Sequence, residues 1–381
     1  MQHQLHIVAD TSVTSGGEGL AALRYAEYIA HAGCHVTLIS LGGTSIPRRV
    51  NGIGSIRIQL IPNKRSISKY ISYYYFIKNL CYEDKIDLIH IHGMWNPVLA
   101  MAAAVSKMND LPLILSPHGC MEAVALKYNF FKKWIALRTY QGLVLRTVSL
   151  FIATAKSEKN SIRQLGYKQY IAVIPNGIDV TDTVVASPKK RTNKILYLSR
   201  IHPKKGLEDL IESWSIVRKD EWRIIIAGSG DSRYRESLGR LIRNRGVEGI
   251  EFIGFVTGVS KQVCFDGADI FILPTHSENF GLVVAEALVN EVPVITTTAA
   301  PWKDLVDYKC GWWVKPSVGG ISKALVEAMS LDYDELRIMG KRGRQLVIAK
   351  YSWINIGITA LNVCEWLLDG SKEKPSVVER R

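Results

Sequence analysis

The sequence alternates short apolar runs with longer stretches that repeat apolar residues at helical spacing, and it does so in two rounds. The first round opens with residues 4–10 (QLHIVAD) and closes with 171–179 (IAVIPNGID). The second starts at residues 194–201 (KILYLSRI) and runs to 293–297 (PVITT). Strands and helices in this order form parallel β-α-β units with right-handed crossovers. The sequence therefore predicts an α/β protein with two doubly wound, Rossmann-like parallel sheets and a cleft between them.

The two rounds predict two domains, which a length of 381 residues allows. We place the first domain at residues 1–175 and the second at 176–353. The apolar stretch 352–370 (SWINIGITALNVCEWLLDG) predicts a last helix, and the polar tail after it is expected to fray.

Composition narrows the class of protein. Hydrophobic residues make up 47% of the chain and charged residues 22%, as in an ordinary globular protein. The opening MQHQLHIVADTSV is mixed and polar, which argues against a signal peptide, and no apolar run approaches the ~18 residues that span a bilayer. The six cysteines are scattered without metal-ligand spacing, which predicts a reduced, cytoplasmic protein.

Positive charge is concentrated in the first half of the chain. Residues 1–175 carry 19 Lys and Arg against 9 Asp and Glu, within a net charge of +13 for the whole chain. Two stretches there, 64–78 (KRSISKYISYYYFIK) and 127–146 (KYNFFKKWIALRTYQGLVLR), combine cations with aromatic residues. A basic aromatic surface suits a membrane interface with anionic lipids. Helices with core-facing aromatics and solvated cations would have the same pattern.

Loops that follow predicted strands carry residues suited to phosphate chemistry. Gly16 and Gly17 precede a predicted helix and would let backbone N–H groups approach an anion, although a flexible turn would have the same sequence. Arg200 and Lys205 in SRIHPKKG could converge on a diphosphate at a helix start, or both could be solvated. Glycines also follow strands in AGSGD (227–231) and in FIGFV, where either a ligand or another backbone could approach closely.

The stretch PTHSENFGLVVAEAL places Glu278 in a loop and Glu286 inside the helix that follows. We expect this helix to begin near Phe280. Its first N–H groups, which suit a phosphate oxygen, would be those of Phe280, Gly281 and Leu282. Carboxylates beside a phosphate suit hydroxyl groups, so the stretch indicates a ligand with phosphates flanked by polyols, as in a sugar nucleotide. A capping acid and a surface glutamate are the simpler alternative.

Histidines follow two strands of the first half, His90 and His92 in HIHGMW and His118 in SPHGCME. Several histidines at the end of one sheet would suit a metal or acid–base chemistry, and a structural hydrogen bond is the alternative for each ring. Partner acids or cysteines at zinc spacing are missing, so the sequence predicts no metal site.

Together these motifs resemble the retaining nucleotide-sugar glycosyltransferases of GT-B fold, the large group called family 4. The resemblance runs from SGGEGLAALRYAEYIAHAGCHVTLIS to YSWINIG. Its specific part is C-terminal: LSRIHPKKGLEDLIESW, AGSGD, FIGFV and LPTHSENFGLVVAEALVNEVPVI. It implies that the first domain binds an acceptor and the second a nucleotide sugar. It also implies that the final segment, about 354–381, crosses back to pack on the first domain.

The resemblance implies a role for each matched residue. Glu286 would hold the ribose hydroxyls and Glu278 those of the donor sugar. Arg200 and Lys205 would hold the diphosphate and offset the charge that develops on it. The remaining donor contacts would be His118 near the reaction centre, the backbone at Gly16 and Gly17 for phosphate, and the backbone around Gly254 and Phe255 for the base.

The family retains configuration by same-face attack, with the departing phosphate oxygen deprotonating the acceptor. Catalysis would then be mainly electrostatic, with Arg200, Lys205 and the helix N-terminus stabilising the leaving nucleoside diphosphate. Cations at this position make a divalent metal unnecessary, so no cofactor is expected. The expected donor is a UDP-sugar, and the transferred group a hexose or N-acetylhexosamine.

The acceptor is expected to be a lipid-diphosphate-linked saccharide. The stretch SPHGCMEAVALKYNFFKKW looks like transferases of bacterial surface-polysaccharide assembly, which implies an α-glycosidic bond in O-antigen-like biosynthesis. Trp95 and Glu122 are the expected acceptor contacts. The protein would lie at the inner face of the cell membrane as a peripheral protein.

Three other functions compete with this one. A nucleotide-sugar epimerase or hydrolase on the same fold needs no membrane surface, and the basic aromatic segments count against it. A nucleic-acid-binding protein would explain the charge of +13, but no nucleic-acid module is found and the cations cluster with aromatics on helices. A dinucleotide-dependent oxidoreductase would need the glycine fingerprint and a ribose-binding acid ~20 residues later, and both are missing.

Overall fold

A computed structural model describes residues 2–11, 17–41, 56–60, 68–180 and 191–380. The chain forms two compact units: Met1–Gly177 with Trp353–Arg381, and Ile178–Ser352. We call them the first and the second unit. Gly16 and residues 64–67 of the first basic stretch lie outside the described ranges.

The first part of the chain alternates strands and helices. The elements are β1 (His3–Val8), α1 (Gly17–His31), β2 (His35–Ser40), β3 (Ile56–Leu60), α2 (Ser68–Glu83), β4 (Leu88–His92), α3 (Val98–Met108), β5 (Leu113–Ser116), α4 (Ala123–Lys127), α5 (Phe130–Arg138), α6 (Tyr140–Thr147), β6 (Leu150–Ala153), α7 (Lys156–Gln164) and β7 (Tyr170–Val173). Every residue of β4, β5 and β6 is buried, because helices cover both faces of a parallel sheet.

The second unit repeats the pattern. Its elements are β8 (Lys194–Leu198), α8 (Leu207–Val217), β9 (Arg223–Ala227), α9 (Ser232–Asn244), β10 (Ile250–Gly254), α10 (Gly258–Asp266), β11 (Ile270–Leu273), α11 (Leu282–Val289), β12 (Val294–Thr297), α12 (Asp304–Asp307), β13 (Gly311–Val314), α13 (Val318–Ser330) and α14 (Tyr333–Tyr351). The strand order is β10-β9-β8-β11-β12-β13, and all pairs are parallel. This is the doubly wound order, in which ligands bind where the order reverses, beside β8 and β11. Trp214, Trp222 and Trp302 fill its core.

The chain then returns to the first unit through α15 (Trp353–Leu368) and β14 (Val378–Glu379). Helix α15 packs on α1, where the rings of Trp353 and Tyr28 stack at 5.9 Å. The expected fraying of the tail is wrong, because β14 pairs with β7 as an antiparallel edge strand. Val378 is buried there, and Glu379 forms an ion pair with Lys159 at 2.8 Å.

The sheet of the first unit therefore has the order β14-β7-β6-β5-β4-β1-β2-β3, and only β14 is antiparallel. The predicted fold class, α/β with two doubly wound parallel sheets, is confirmed. Among the described residues, no helix combines the length and the apolar character needed to cross a membrane.

Candidate functional site

Two loops at the edge where the strand order reverses are held together in the second unit. One follows β8 and the other follows β11. The backbone N–H of His276 donates to the carbonyl oxygen of Lys204 at 2.8 Å, and the Thr275 hydroxyl donates to the same oxygen at 3.0 Å. These bonds join the two stretches that the sequence singled out separately, SRIHPKKG and PTHSENFG.

Lys205 and Glu278 form an ion pair between these loops. Lys205 Nζ contacts Glu278 Oε2, and the two side chains are only 9% and 14% exposed. Gly206 makes this approach possible, since its φ is +71° and a Cβ there would overlap the carbonyl oxygen of Pro274. A cation and a carboxylate that are both withdrawn from water stabilise each other only in direct contact. The pair is therefore a fixed part of the loop structure.

The loop after β8 is strongly cationic. It ends in a 3-10 turn, Pro203–Lys205, and its cations are Arg200, Lys204 and Lys205. Desolvation, and then these three cations, lower the pKa of the neighbouring His202 below its ordinary value. Arg200 itself is exposed, so its guanidinium is available to a ligand.

The helix that carries Glu286 begins two residues later than expected, at Leu282. Gly281 precedes it with a left-handed φ of +80°, and a Cβ there would lie 3.1 Å from Glu278 Cγ. Glu278 thus lies against the start of the helix, where N–H groups lack intrahelical acceptors. The Phe280 side chain packs in the core: it is 4% exposed, and the Phe280 carbonyl accepts from the Trp302 indole at 2.6 Å.

Glu286 has a partner that the sequence did not reveal. Its Oε2 lies 2.6 Å from Nζ of Lys261 in α10, and each side chain is 29% exposed. Only the packing of α10 near α11 brings the two together, since they are far apart in sequence. Lys261 holds the carboxylate in place while leaving part of it accessible to hydroxyl groups.

The two glycine-rich strand ends have different explanations. Gly228 in AGSGD accommodates another backbone, because a Cβ there would overlap the carbonyl oxygen of Ser199. Gly254 has open space around it, with φ +81° at a register shift in the edge strand β10. Phe255 after it is 70% exposed. Of the two, the Gly254 turn is the one open to a ligand.

The N-terminus of α1 differs from an open anion site. Gly17 is its first residue, and Glu18 lies in its first turn. The Glu18 carboxylate packs against Gly93, where a Cβ would overlap it, and desolvation raises the pKa of Glu18. The Glu18 carboxylate thus faces Gly93, and the phosphate contact expected of Gly16 and Gly17 stays a prediction.

In the first unit, four histidines form a row at the centre of the sheet. The ring centres of His90 and His92 in β4 stack 4.1 Å apart. The ring centre of His6 in β1 lies 4.8 Å from that of His90, and the ring centre of His118 lies 5.6 Å from that of His92. Ring nitrogens of His6, His90 and His92 lie within 4.8 Å of one another, and no other cluster of metal-ligating side chains occurs in the part of the chain that the structure describes. The sequence missed His6, because its proximity follows from the register of β1 on β4. His6 Nδ1 and His92 Nε2 are hydrogen-bonded to each other at 3.1 Å, so these two nitrogens already have a partner other than a metal.

The buried histidines are expected to make the first unit acid-sensitive. Desolvation lowers the pKa of His6 to about 3 and lowers those of His90, His92 and His118 as well. A histidine with a depressed pKa binds fewer protons in the folded state than in the unfolded state, so stability falls as pH drops below about 6.5. From pH 7 to pH 5 we expect a loss of about 2 kcal/mol from His6 alone.

Urea unfolding at the two pH values tests this, and in His6→Leu the loss should shrink by about that amount. Glu18 and Glu158, whose pKa values are raised by desolvation, offset part of the total at low pH. An equal pH-dependence in wild type and His6→Leu would contradict the assignment.

The backbone at His118 is held by the buried carboxylate of Glu158, which belongs to no motif in the sequence. His118 has φ +51°, an uncommon conformation for a side-chain-bearing residue. The N–H of the next residue, Gly119, donates to Glu158 Oε1 at 2.5 Å. The other oxygen of Glu158 accepts from the N–H and the hydroxyl of Thr154 at 2.7 and 2.9 Å. Glu158 is fully buried and so fixes the loop that carries His118.

Trp95 and Glu122 lie in the loops after the neighbouring strands β4 and β5. The Trp95 backbone is clamped: its N–H donates to Gln141 Oε1 at 3.0 Å and its carbonyl accepts from the Tyr140 hydroxyl at 2.7 Å. Lys133 Nζ lies 5.2 Å from the centre of the Trp95 ring. Glu122 is partly exposed and immediately precedes α4.

The helix α5 presents large apolar side chains to solvent. Phe130, Phe131 and Trp134 are 64%, 70% and 43% exposed, respectively. Cations of the same region lie among them, with Arg138 stacked 4.8 Å from the Trp134 ring. We call this the α5 surface, defined by residues 127–138.

Comparison with known proteins matches each unit to a glycosyltransferase model. Residues 15–182 match the model Glycosyltransferase Family 4, and residues 181–346 match Glycosyl transferases group 1. An uncharacterized glycosyltransferase of Methanocaldococcus jannaschii is 25% identical over 91% of this chain and 94% of its own length. The GDP-mannose:cellobiosyl-diphosphopolyprenol alpha-mannosyltransferase of Xanthomonas campestris is 23% identical over 71% of each chain.

Among solved structures, HepE of Anabaena in complex with UDP superposes with a TM-score of 0.74 at 17% identity, covering 96% of this chain and 100% of that one. The fold is therefore GT-B. With each unit matched by its own glycosyltransferase model, the chain is a group 1, family 4-like glycosyltransferase.

Proposed function

We propose that the protein is a retaining, metal-independent hexosyltransferase that uses a nucleoside-diphosphate sugar, with a UDP-sugar as the donor. The observation that carries this is the joined edge of the second unit, where Lys205 and Glu278 meet at the start of α11 and the loop of Lys205 also carries the exposed Arg200. Two cations, Arg200 and Lys205, near the N–H groups of a helix start suit a diphosphate, and the carboxylate of Glu278 suits sugar hydroxyls. The likeness to HepE, solved with UDP, supports this choice of donor.

In this proposal Glu286 accepts from the ribose hydroxyls while Lys261 holds it in place. Glu278 accepts from the transferred sugar, and the backbone at Gly254 lies beside the base. The N–H groups of Phe280, Gly281 and Leu282 are proposed to face a phosphate oxygen, and the Phe280 side chain packs in the core of the second unit.

The proposed mechanism is same-face attack with retention of configuration. As the bond between the anomeric carbon and the diphosphate oxygen breaks, the leaving group gains negative charge, which Arg200 and Lys205 stabilise. The departing phosphate oxygen takes the proton of the acceptor hydroxyl, and the new bond forms on the face that the leaving group vacates. Because Arg200 and Lys205 provide the charge stabilisation, sugar transfer should continue after a chelator is added. Loss of transfer in the presence of the chelator would contradict metal independence.

The donor site is tested by thermal shift with UDP, GDP, ADP and CMP and their sugar conjugates. At about 100 times its dissociation constant, one nucleoside diphosphate should stabilise the protein by ~2.7 kcal/mol and raise Tm by about 5 °C or more. Glu286→Ala should abolish the shift, because the ribose hydroxyls lose their acceptor. Glu248→Ala is the control, since that side chain is 82% exposed in the same unit.

Loss of the shift in both variants, or no shift in wild type with any nucleotide, would refute the proposed donor site. Hydrolysis of the donor to free sugar at the same rate with and without acceptor would instead identify the hydrolase alternative.

The proposed acceptor is a saccharide linked to a lipid diphosphate, giving an α-glycosidic product in O-antigen-like polysaccharide assembly. Two observations support it: the relative from Xanthomonas campestris is named for a diphosphopolyprenol substrate, and the α5 surface exposes aromatic rings among cations. Trp95 and Glu122 are the proposed acceptor contacts in the first unit. The proposed location is the inner face of the cell membrane, with the protein cytoplasmic and peripherally bound.

Binding to anionic vesicles is expected to depend on the α5 surface. Each aromatic ring that enters the interface contributes about 1.5–3 kcal/mol. The double variant Phe131→Ser, Trp134→Ser should therefore lower the partition coefficient on phosphatidylglycerol vesicles at least tenfold, about 1.4 kcal/mol. Ile216→Ser, which removes a 69% exposed apolar side chain from the second unit, should leave it unchanged. Equal losses in both variants, or binding that does not need anionic lipid, would contradict the proposal.

A further inference from the structure

Three hydrogen bonds join Gln4 to His118 through two other histidines. His6 Nε2 lies 3.1 Å from Gln4 Oε1, His6 Nδ1 lies 3.1 Å from His92 Nε2, and His92 Nδ1 lies 3.3 Å from His118 Nε2. Gln4, His6 and His92 are fully buried, and His118 is partly exposed. The row therefore begins in the core and ends at a residue that solvent or a ligand can reach.

Gln4 Oε1, at the buried end of the row, determines which nitrogen donates in each of the three hydrogen bonds. The carbonyl oxygen of an amide can only accept. The orientation of the Gln4 amide is set by its nitrogen, which donates to Gln2 Oε1 at 3.2 Å, and by the Cys364 thiol, which lies 3.8 Å from Gln4 Oε1. His6 must then carry its proton on Nε2, which leaves His6 Nδ1 as an acceptor.

The same logic continues along the row. His6 Nδ1 accepts from the Nε2–H of His92, so His92 Nδ1 is an acceptor, and it accepts in turn from the Nε2–H of His118. Neutral rings are needed for this arrangement, and desolvation keeps the pKa of each ring below its ordinary value. His118 Nδ1 is then left with a lone pair.

We propose that Gln4, His6 and His92 are positioning residues that hold His118 as the neutral Nε2–H tautomer, so that its Nδ1 is kept as an acceptor for a hydroxyl group of a substrate. This proposal rests on the proposed function and deepens it. Glu158 holds the backbone of the same loop at Gly119, so both the ring and the main chain of His118 are fixed.

The matched test compares two replacements of His6. In His6→Asn the amide oxygen takes the place of Nδ1 and can still accept from His92, whereas in His6→Leu no acceptor remains. His90→Leu is the control, because His90 is equally buried and stacks on the row but bonds to Ser116 Oγ at 2.8 Å, outside it.

The direct readout is long-range ¹H–¹⁵N correlation on the full-length protein labelled with ¹⁵N-histidine, which shows the protonated nitrogen of each ring. We expect Nε2–H for His6, His92 and His118 in wild type, retention of Nε2–H at His118 in His6→Asn and His90→Leu, and a mixture of tautomers in His6→Leu. The kcat of transfer should fall about tenfold in His6→Leu with little change in donor KM. It should stay within about twofold in the other two variants.

An Nδ1–H tautomer of His118 in wild type, or identical spectra and rates in His6→Leu and His6→Asn, would overturn the proposal. So would stoichiometric Zn²⁺ binding that shifts the His6 and His92 resonances, since the lone pairs would then serve a metal. These outcomes are separable from failure of the proposed function. If no nucleotide binds and no sugar is transferred but the tautomers are as expected, the proposed function fails and the hydrogen-bonded row stands.

Discussion

Replacing Lys205 with Met is expected to slow sugar transfer by a factor of about a hundred or more. Removing one preorganised group that stabilises developing negative charge typically costs a factor of 10²–10³ in kcat. The same change leaves the carboxylate of Glu278, which is only 14% exposed, without its cation. Breaking a buried pair from one side costs about 3 kcal/mol. The free energy of unfolding of the second unit should therefore fall together with the rate.

The double variant Lys205→Met, Glu278→Gln separates the two effects. With both charges removed, no uncompensated charge stays buried, and most of the lost stability should return. Transfer should not return, because neither the cation nor the carboxylate is present. The measurements are kcat with saturating donor and urea unfolding of each variant, with Lys204→Met, from the same turn, as the control. Recovery of transfer in the double variant would show that the pair serves folding alone.

The fold could be predicted from sequence because its signals are local. Apolar runs of strand length between helical stretches specify β-α-β units, and right-handed crossovers with helices on both faces require the strand order to reverse. The structure places that reversal beside β8 and β11. The same regularity places the ends of parallel strands at one edge. Lys205 and Glu278 could therefore be selected from two loops that are far apart in sequence. Their direct contact could not, since it depends on how Gly206 lets the loops approach.

The residues that sequence analysis missed are those whose partners lie on other elements. His6 looks like any polar residue in a strand until the register of β1 on β4 places it beside His90. Lys261 looks like a solvated cation until α10 packs near α11. The tail looked polar, yet one buried residue, Val378, and an ion pair at Glu379 give it a place on the sheet edge. In each case the deciding contact joins two different helices or strands, whereas the sequence shows only which residues are neighbours along the chain.

Glu158 is the clearest case of a structural residue that bears on the site, and its replacement by Leu is expected to be severely destabilising. Its two oxygens accept three bonds, from the N–H of Gly119 and from the N–H and hydroxyl of Thr154. Each donor left without an acceptor costs about 1–3 kcal/mol, so the total loss for the three donors is about 3–9 kcal/mol. Glu158→Gln keeps one amide oxygen and should lose less.

Hydrogen exchange of peptides that span β5 and β6 measures this loss directly, because those strands flank the loop of His118. Asn160→Leu is the matched control: it introduces the same side chain at an exposed position of α7, where surface changes are usually within about 0.5 kcal/mol. Desolvation raises the pKa of Glu158, and its three hydrogen bonds lower the pKa by less. The hydrogen bonds therefore offset only part of the cost of burying the charge. If Glu158→Leu and Asn160→Leu exchange alike, the carboxylate does not hold the loop. The φ of +51° at His118 would then have to be maintained by the hydrogen bond of its ring to His92 alone.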